Sequence, residues 1–315
     1  MEKVNIGKSD LKVARINLGG NVFGWTLNEQ DSFGVLDKFV GAGFNFIDTA
    51  DVYSTWAPGN KGGESETIIG NWMKVRGNRK DLVIATKVGS DLGEGRKGLR
   101  AEYIEKAAET SLKRLQVDYI DLYYTHFDDE TTPLEETLGA YAELIKTGKV
   151  RYIAASNISE DRLLKSLALG QSGSYPLYQA LQPHYNLVER EAYEKKYAPI
   201  AQQYGLSVFP YYALASGFLT GKYRSQEDSK KSVRGEGASK YLNKKGVRVL
   251  IALDQVAKKH DQQLATVALA WLLAQPNIAA PVVSATRTNQ LEALFAAPKL
   301  KLDSEDLDKL KNASL

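Results

Sequence analysis

The chain has no cysteine among its 315 residues, which excludes disulfides and thiolate chemistry and suits a reducing, cytoplasmic setting. Its only histidines, His126, His184 and His260, are too scattered to suggest a zinc site, so no metal is expected. An excess of one charge is also missing. The 41 Lys and Arg against 38 Asp and Glu leave +3, too little to argue for nucleic acid or a membrane surface as partner. No apolar run of about 18 residues occurs, so no membrane span is expected. The N-terminal MEKVNIGKSDLKVARI lacks the apolar stretch of a signal peptide. A G-x-S-x-G nucleophile motif is absent, the nearest stretch, LASGF, lacking the first glycine. The dinucleotide fingerprint G-x-G-x-x-G is absent too, since LGGNVFG does not fit it.

What is present is an alternation. Short apolar runs (VARINLGG, FNFIDTA, LVIATKVG, YIDLYYTH, VRYIAASN, YQALQPHYN, LSVFPYYAL, AAPVVSA) are separated by amphipathic segments such as SETIIGNWMKV and AEYIEKAAETSLKRL. Strands alternating with helices imply parallel βα units, and near-continuous apolar strands imply a sheet covered on both faces. About eight such units predict an α/β fold of the (β/α)8 TIM-barrel type as one domain over residues 1–315, with a doubly wound sheet as the alternative. The leading KVNIGKSDLKVARI is expected to form a hairpin closing the barrel bottom, and SEDLDKLKNA a last helix. In ISEDRLLKSLALG, Ser159 is placed to cap a helix start and Gly170 its end. Residues 221–246, charged and poor in apolar side chains, read as a long surface loop before the last unit.

Active sites of such barrels form at the C-terminal ends of the strands. Those ends bring Asp48 with Tyr53 just beyond it, Thr86-Lys87, Thr125-His126, Ser156-Asn157, Gln182 and Tyr211 to one rim. Singly each is bland: a strand-end Asp usually caps a helix or turn, and a strand-end Lys usually snorkels to solvent. Asp51 is expected to be such a turn or capping residue. Together, an acid, a phenol, an ammonium and an imidazole on adjacent strands have a chemical use. A Lys87 ammonium beside Tyr53 stabilises the phenolate, so the Tyr53 pKa is expected to fall from its ordinary value near 10 toward the working pH. Asp48 is the available partner for a buried Lys87. Tyr53 then serves as a general acid protonating a carbonyl oxygen, and His126 donates a hydrogen bond to the same oxygen. With no nucleophile in the set, the electron pair must come from a cofactor, and hydride from a nicotinamide is the economical source.

These residues lie in FIDTADVY (46–53), GGESETIIG (62–70), ATKVG (85–89), SLKRLQVDYIDLYYTH (111–126), AASN (154–157), LQPHYNL (181–187), YYALASGFLTGKY (211–223) and SATRTNQLE (284–292). In order and spacing the chain resembles an aldo-keto reductase over nearly its whole length. The resemblance implies a barrel that binds NADP(H), with NAD(H) as the other option, across the strand C-termini. It implies that Tyr53 is the proton donor, that Asp48 and Lys87 tune it, and that His126 orients the carbonyl. Ser156, Asn157 and Gln182 resemble the groups that hold the carboxamide, and Tyr211 the aromatic under the nicotinamide. Leu214, Ser216, Leu219 and Lys222 resemble the pyrophosphate belt, with Arg234 reaching it from the long loop. Gly20, Asn21 and Asp48 join the cofactor set, and Ser284, Thr286, Arg287 and Gln290 match the adenosine end. A cation at Arg287 suits a 2′-phosphate.

Two departures stand out. Where the family often ends its adenosine motif with Glu-Asn, this chain has Ala293 and Leu294. The stretch after Tyr53, STWAPGNKGGE, is longer than the family's usual link and adds Trp56. With Trp25, Phe127 and Phe23, Trp56 is expected to wall a pocket for a small-molecule carbonyl or alcohol substrate, alongside Tyr53 and His126. Potassium-channel β-subunits share LASGFLTGKY-like sequence, so a slow-turnover, cofactor-sensing binding protein is the alternative from another class. A phosphosugar isomerase or lyase would instead place a phosphate on LASGFLTG.

Overall fold

The computed structural model describes residues 2–230, 232–233 and 235–315. The chain opens on an antiparallel hairpin, β1 (Lys3–Asn5) and β2 (Lys12–Ala14), with Val4 opposite Val13. Eight parallel strands follow: β3 (Asn17–Gly19), β4 (Phe46–Asp48), β5 (Val83–Val88), β6 (Ile120–Thr125), β7 (Val150–Ser156), β8 (Ala180–Gln182), β9 (Ser207–Val208) and β10 (Val282–Val283). They pair in chain order from β3 to β9, with β10 on the other side of β3. Between β9 and β10 the Ala279 N–H donates to Val208 O at 3.0 Å and the Val282 N–H to Pro210 O at 2.8 Å, which brings the last edge round to the first. This is the expected (β/α)8 architecture.

Both faces of these strands are buried, which is why they read as unbroken apolar runs. The inward set, Phe46, Ala85, Leu122, Tyr124, Ala154, Ala180 and Phe209, packs on Ile6, Leu11 and Val13 of the hairpin region. The hairpin therefore closes the barrel bottom, as its sequence predicts, and leaves the C-terminal strand ends open at the top.

The outer helices are α1 (Glu29–Gly41), α2 (Glu64–Arg76), α3 (Ala101–Leu115), α4 (Leu134–Lys146), α5 (Glu160–Gln171) and α6 (Ala198–Tyr204). They continue with α7 (Gln226–Ser229), α8 (Gly235–Ser239), α9 (Lys244–His260), α10 (Leu264–Leu273), α11 (Leu291–Ala296) and α12 (Ser304–Ala313). Ser159 caps α5 as expected, its hydroxyl accepting from the Arg162 N–H at 3.4 Å. Gly170 does not end that helix: α5 runs through it, and its missing side chain admits Leu177, whose Cδ1 would lie 2.9 Å from a Cβ there. The terminal helix α12 appears where predicted. Asp303 caps it, and Asp306 accepts from Lys259 Nζ at 2.9 Å and lies 2.6 Å from His260 Nε2, so His260 serves as a structural staple.

Residues 221–246 correct the expectation of a plain loop. They carry α7, α8 and the start of α9, and they bury Tyr223, Ala238 and Tyr241. A Cβ on Gly237 would lie 3.1 Å from Ser216 Oγ, and the Tyr241 ring lies 5.6 Å from that of Phe218. Few apolar residues suffice here because they fold onto the 215–220 turn. Arg234 lies outside the described residues. Among the described residues no helix is long and apolar enough to cross a membrane.

Candidate active site

Parallel registry assembles the site. Gly19 pairs with Asp48 and Asp48 with Ala85, so β3 and β4 end level while β5 runs three residues further to Val88, carrying Lys87 above Asp48. Lys87 pairs with Tyr124 and Ser156 with Gln182 further round. The Gly20 N–H donates to Asp48 O at 2.7 Å, and a Cβ on Gly20 would sit 2.8 Å from Ser65 Oγ, so only glycine fits there. Beyond Asp48 the chain turns under Tyr53. Ser54, at φ 76°, donates its hydroxyl to Phe23 O at 2.7 Å, and Asn60 Nδ2 donates to Ser54 O at 2.9 Å. The turn is thus pinned at Ser54, directly after the phenol, through both its side chain and its carbonyl.

Asp48 and Lys87 are fully buried and form a close ion pair. Lys87 Nζ also donates to Thr49 O and to Tyr53 Oη, both at 2.8 Å, so each of its three N–H groups has an acceptor. Gln182 Nε2 donates to Asp48 Oδ2 at 2.8 Å, fixing the carboxylate from the opposite strand. Tyr53 Oη lies 3.3 Å from Asp48 Oδ1, a long contact beside the Lys87 bond. The four expected groups are therefore together: Asp48, Lys87 and Tyr53 by hydrogen bonds, and His126 by an edge contact to the Tyr53 ring at 5.9 Å.

The electrostatics correct one expectation. Burial, and then the Asp48 charge, hold the Tyr53 phenol well above its ordinary range instead of lowering it. Asp48 offsets much of the Lys87 charge, so desolvation of the phenolate decides the sign. Burial likewise draws the Lys87 ammonium down while Asp48 pulls it back up. Burial, with Lys87 adding repulsion, keeps His126 well below its usual range, so its ring is neutral. Its Nδ1 lies 2.9 Å from the buried Ser90 hydroxyl.

Beneath this set is a second buried group. Thr86 Oγ1 donates to Glu66 Oε1 at 2.6 Å, and Arg114 pairs with the other Glu66 oxygen at 3.1 Å. Asp51 lies in the turn as expected, but its carboxyl is buried and both oxygens lack a hydrogen-bond partner among the described residues. Burial, and then Glu66, raise its pKa well above the ordinary carboxylate value.

Around the rim, Tyr211 OH donates to Asn157 Oδ1 at 2.9 Å, and Asn157 Nδ2 donates to His126 O at 2.8 Å. Ser156 Oγ donates to Gln182 O at 2.8 Å. His184 stacks on Tyr211 at 5.4 Å with the planes 17° apart, backing one face of that ring. Leu214 leads into a turn in which Ala215, Ser216 and Gly217 all have left-handed φ, with Leu219 buried behind it and Lys222 exposed beside it. Ser284 Oγ donates to Asn21 Oδ1, joining the ends of β10 and β3. The Thr286 N–H donates to Gln290 Oε1 at 2.8 Å, and Arg287 is exposed beside them with no ion pair among the described residues. Ala293 and Leu294, the departures from the family motif, are buried on α11.

Trp56 and Phe127 are each 48% exposed, Trp56 meets Trp25 edge-on at 5.7 Å, and Phe127 adjoins His126 at 5.1 Å. Phe23 is corrected: it is fully buried and takes no part in the wall. Sequence reasoning also missed Ser90, His184 and Tyr212. Tyr212 is 56% exposed at φ 52°, and its ring lies 5.4 Å from those of His184 and Tyr211. His184 lies in LQPHYNL and Tyr212 directly follows Tyr211, so adjacency was the available signal for both.

The family model for the aldo/keto reductase family matches residues 15–314. The chain is 34% identical over 320 residues to an uncharacterized oxidoreductase, YrpG, of Bacillus subtilis, covering 99% of this chain and 95% of that protein. It is 32% identical to a probable voltage-gated potassium channel subunit beta of Oryza sativa, covering 99% and 96% of the two chains. It is 31% identical to the aldo-keto reductase yakc [NADP(+)] of Schizosaccharomyces pombe, covering 91% and 83%.

Proposed function

The chain belongs to the aldo/keto reductase family, and from that premise we propose that it is an NADP(H)-dependent oxidoreductase reducing an aldehyde or ketone to the alcohol, reversibly, with Tyr53 as general acid. The observation that carries this reading is the Tyr53 hydroxyl, held 2.8 Å from an ammonium that Asp48 and Thr49 also bind. Lys87 donates into the phenol oxygen, and the phenol proton has only a long 3.3 Å contact to Asp48 Oδ1 to give up when a substrate oxygen enters the pocket. As that proton moves to a substrate oxygen, Lys87 meets the growing negative charge on Tyr53 Oη without reorganising. Neutral His126 donates a second hydrogen bond to the same oxygen and fixes its position. Trp25, Trp56 and Phe127 form the apolar side of the substrate pocket and exclude water from the transfer.

The rim fits a nicotinamide dinucleotide. His184 covers one face of Tyr211 and leaves the other for a flat ring. Gln182 Nε2 is committed to Asp48, which leaves its Oε1 as an acceptor for an amide N–H, with Ser156 and Asn157 beside it. In the left-handed turn at 215–217 the Ala215 and Gly217 N–H groups are spent on Tyr212 O and Leu214 O, which leaves the Ser216 N–H, with the exposed Lys222 nearby, to meet the pyrophosphate between Leu214 and Leu219. Gly20 and Asn21, with Ser284, Thr286, Arg287 and Gln290, line the far end, where the Arg287 guanidinium suits a 2′-phosphate. When bound, the nicotinamide supplies the hydride. The whole chain acts as one barrel domain, and the lack of cysteine suits a cytoplasmic location.

The deciding measurement is NADPH titration followed by turnover of a carbonyl panel. Quenching of Trp or Tyr emission at micromolar NADPH, with aldehyde reduction, is expected. No binding would sink the oxidoreductase reading. Binding with negligible turnover of every carbonyl would favour the slow, cofactor-sensing role that the likeness to the rice channel subunit raises.

A further inference from the structure

We propose that Ser90 fixes which nitrogen of the His126 imidazole carries the proton, holding Nδ1 as an acceptor so that Nε2–H faces the substrate oxygen. The proposal rests on the carbonyl-reductase reading, because it names the group that makes His126 a donor there. Ser90 is a positioning residue, since it acts only through His126.

The geometry is specific. Ser90 Oγ lies 2.9 Å from His126 Nδ1, and that hydroxyl has no other hydrogen-bond partner among the described residues. Ser90 is 5% exposed. A buried hydroxyl has one proton to place, and here the imidazole nitrogen is the available acceptor. Were Nδ1 protonated instead, it would donate to Ser90 and leave the serine proton unpaired in a dry site, a loss of one hydrogen bond. The serine therefore favours the tautomer with Nδ1 bare. On the other side of the ring, Nε2 has no hydrogen-bond partner among the described residues, yet it is not among the buried unpartnered atoms, so it remains accessible from the pocket.

The ring has little freedom to evade this choice. The His126 N–H donates to Val88 O at 2.8 Å, and its carbonyl accepts from Asn157 Nδ2 at 2.8 Å. Gly89, between Val88 and Ser90, has φ 112°, and a Cβ there would lie 2.8 Å from Phe127 O. The ends of β5 and β6 are pressed together at that point, which sets Ser90 beside the ring. Tyr53 and Phe127 flank the imidazole at 5.9 and 5.1 Å. Lys87 lies on the pocket side and disfavours a cationic ring, so a neutral tautomer must serve as the donor. In the opposite tautomer Nε2 would present a lone pair to the carbonyl oxygen and repel it.

The test uses the intact chain and needs no substrate. With three histidines, long-range proton–nitrogen spectra of 15N-labelled protein resolve each ring, and His126→Asn assigns the signals. Wild type is expected to show a protonated Nε2 and a bare Nδ1 at His126 between pH 7 and 8. Ser90→Ala should show a mixed population, and Ser90→Thr, which keeps the hydroxyl, should restore the wild-type pattern. A protonated Nδ1 in wild type, or an unchanged pattern in Ser90→Ala, overturns the proposal. The wild-type spectrum decides by itself if Ser90→Ala does not fold. With activity in hand, Ser90→Ala is expected to lower kcat about tenfold with NADPH affinity unchanged, and Ser90→Thr to recover it. An unchanged kcat in Ser90→Ala also overturns it. If wild type reduces no carbonyl, the proposed function fails while the spectra still report on Ser90.

Discussion

Lys87 Nζ stands 2.8 Å from Tyr53 Oη while the same ammonium holds Asp48, so the acid and its stabilising charge form one fully bonded unit. The Asp48 carboxylate anchors that unit to Gln182 on β8, 134 positions along the chain.

Tyr53→Phe removes one oxygen from this unit and leaves the rim intact. NADPH affinity is expected to stay within about twofold, while kcat/KM for reduction falls by about 10² to 10⁴. Fluorescence titration beside steady-state kinetics checks both. Retained activity would refute the acid assignment.

Lys87→Met strands a buried Asp48 carboxylate without its cation. Urea unfolding should show a loss of about 3–5 kcal/mol, and activity should fall as in Tyr53→Phe. Adding Asp48→Asn to Lys87→Met should recover part of the stability, because the orphan charge is gone. Full stability in the single variant would contradict the buried pair.

Neither Tyr53, raised by burial, nor His126, lowered by burial, titrates near neutrality in the folded chain. Tyr53 stays protonated below about pH 10 and His126 stays neutral above about pH 6.5. The kcat/KM for reduction is therefore expected to be flat from about pH 7 to 9. An inflection inside that window that vanishes in either the Tyr53→Phe or the His126→Asn background would count against these directions.

Asp51 has a folded pKa raised well above 3.8, because burial and Glu66 disfavour its charge. The folded chain then holds a proton that the unfolded chain releases as pH rises past that value. Its stabilising share is present below 3.8 and is lost as pH climbs toward the folded pKa. Asp51→Asn lacks this dependence. The Tm of Asp51→Asn relative to wild type should therefore climb from pH 4.5 to pH 8. A difference independent of pH would show that Asp51 ionises normally.

Arg287 is exposed and has no ion pair among the described residues, so it is available for a phosphate. Arg287→Ala should weaken NADPH binding by about 10- to 100-fold and leave NADH within about twofold. Equal effects on the two cofactors would remove Arg287 from 2′-phosphate recognition.

The strand-helix alternation, the closing hairpin, the helix at 304–313 and the placement of Asp48, Lys87 and His126 at strand ends, with Tyr53 in the turn just beyond, were all legible in the sequence. Period and spacing are local properties, and in a parallel barrel they specify which residues reach the rim. Gly170 and residues 221–246 were misread because a close approach by Leu177 and a folded cover over the 215–220 turn depend on distant partners. The bond from Gln182 to Asp48, the Ser90 contact to His126, the burial of Phe23 and the unpartnered carboxyl of Asp51 likewise appear only when the strands stand side by side. The direction of the Tyr53 shift belongs to this second group. Sequence alone placed an ammonium beside a phenol and so argued for a lowered pKa. The tertiary structure added desolvation and a paired Asp48, and removal of water from around the phenolate outweighs a cation already neutralised by its neighbour.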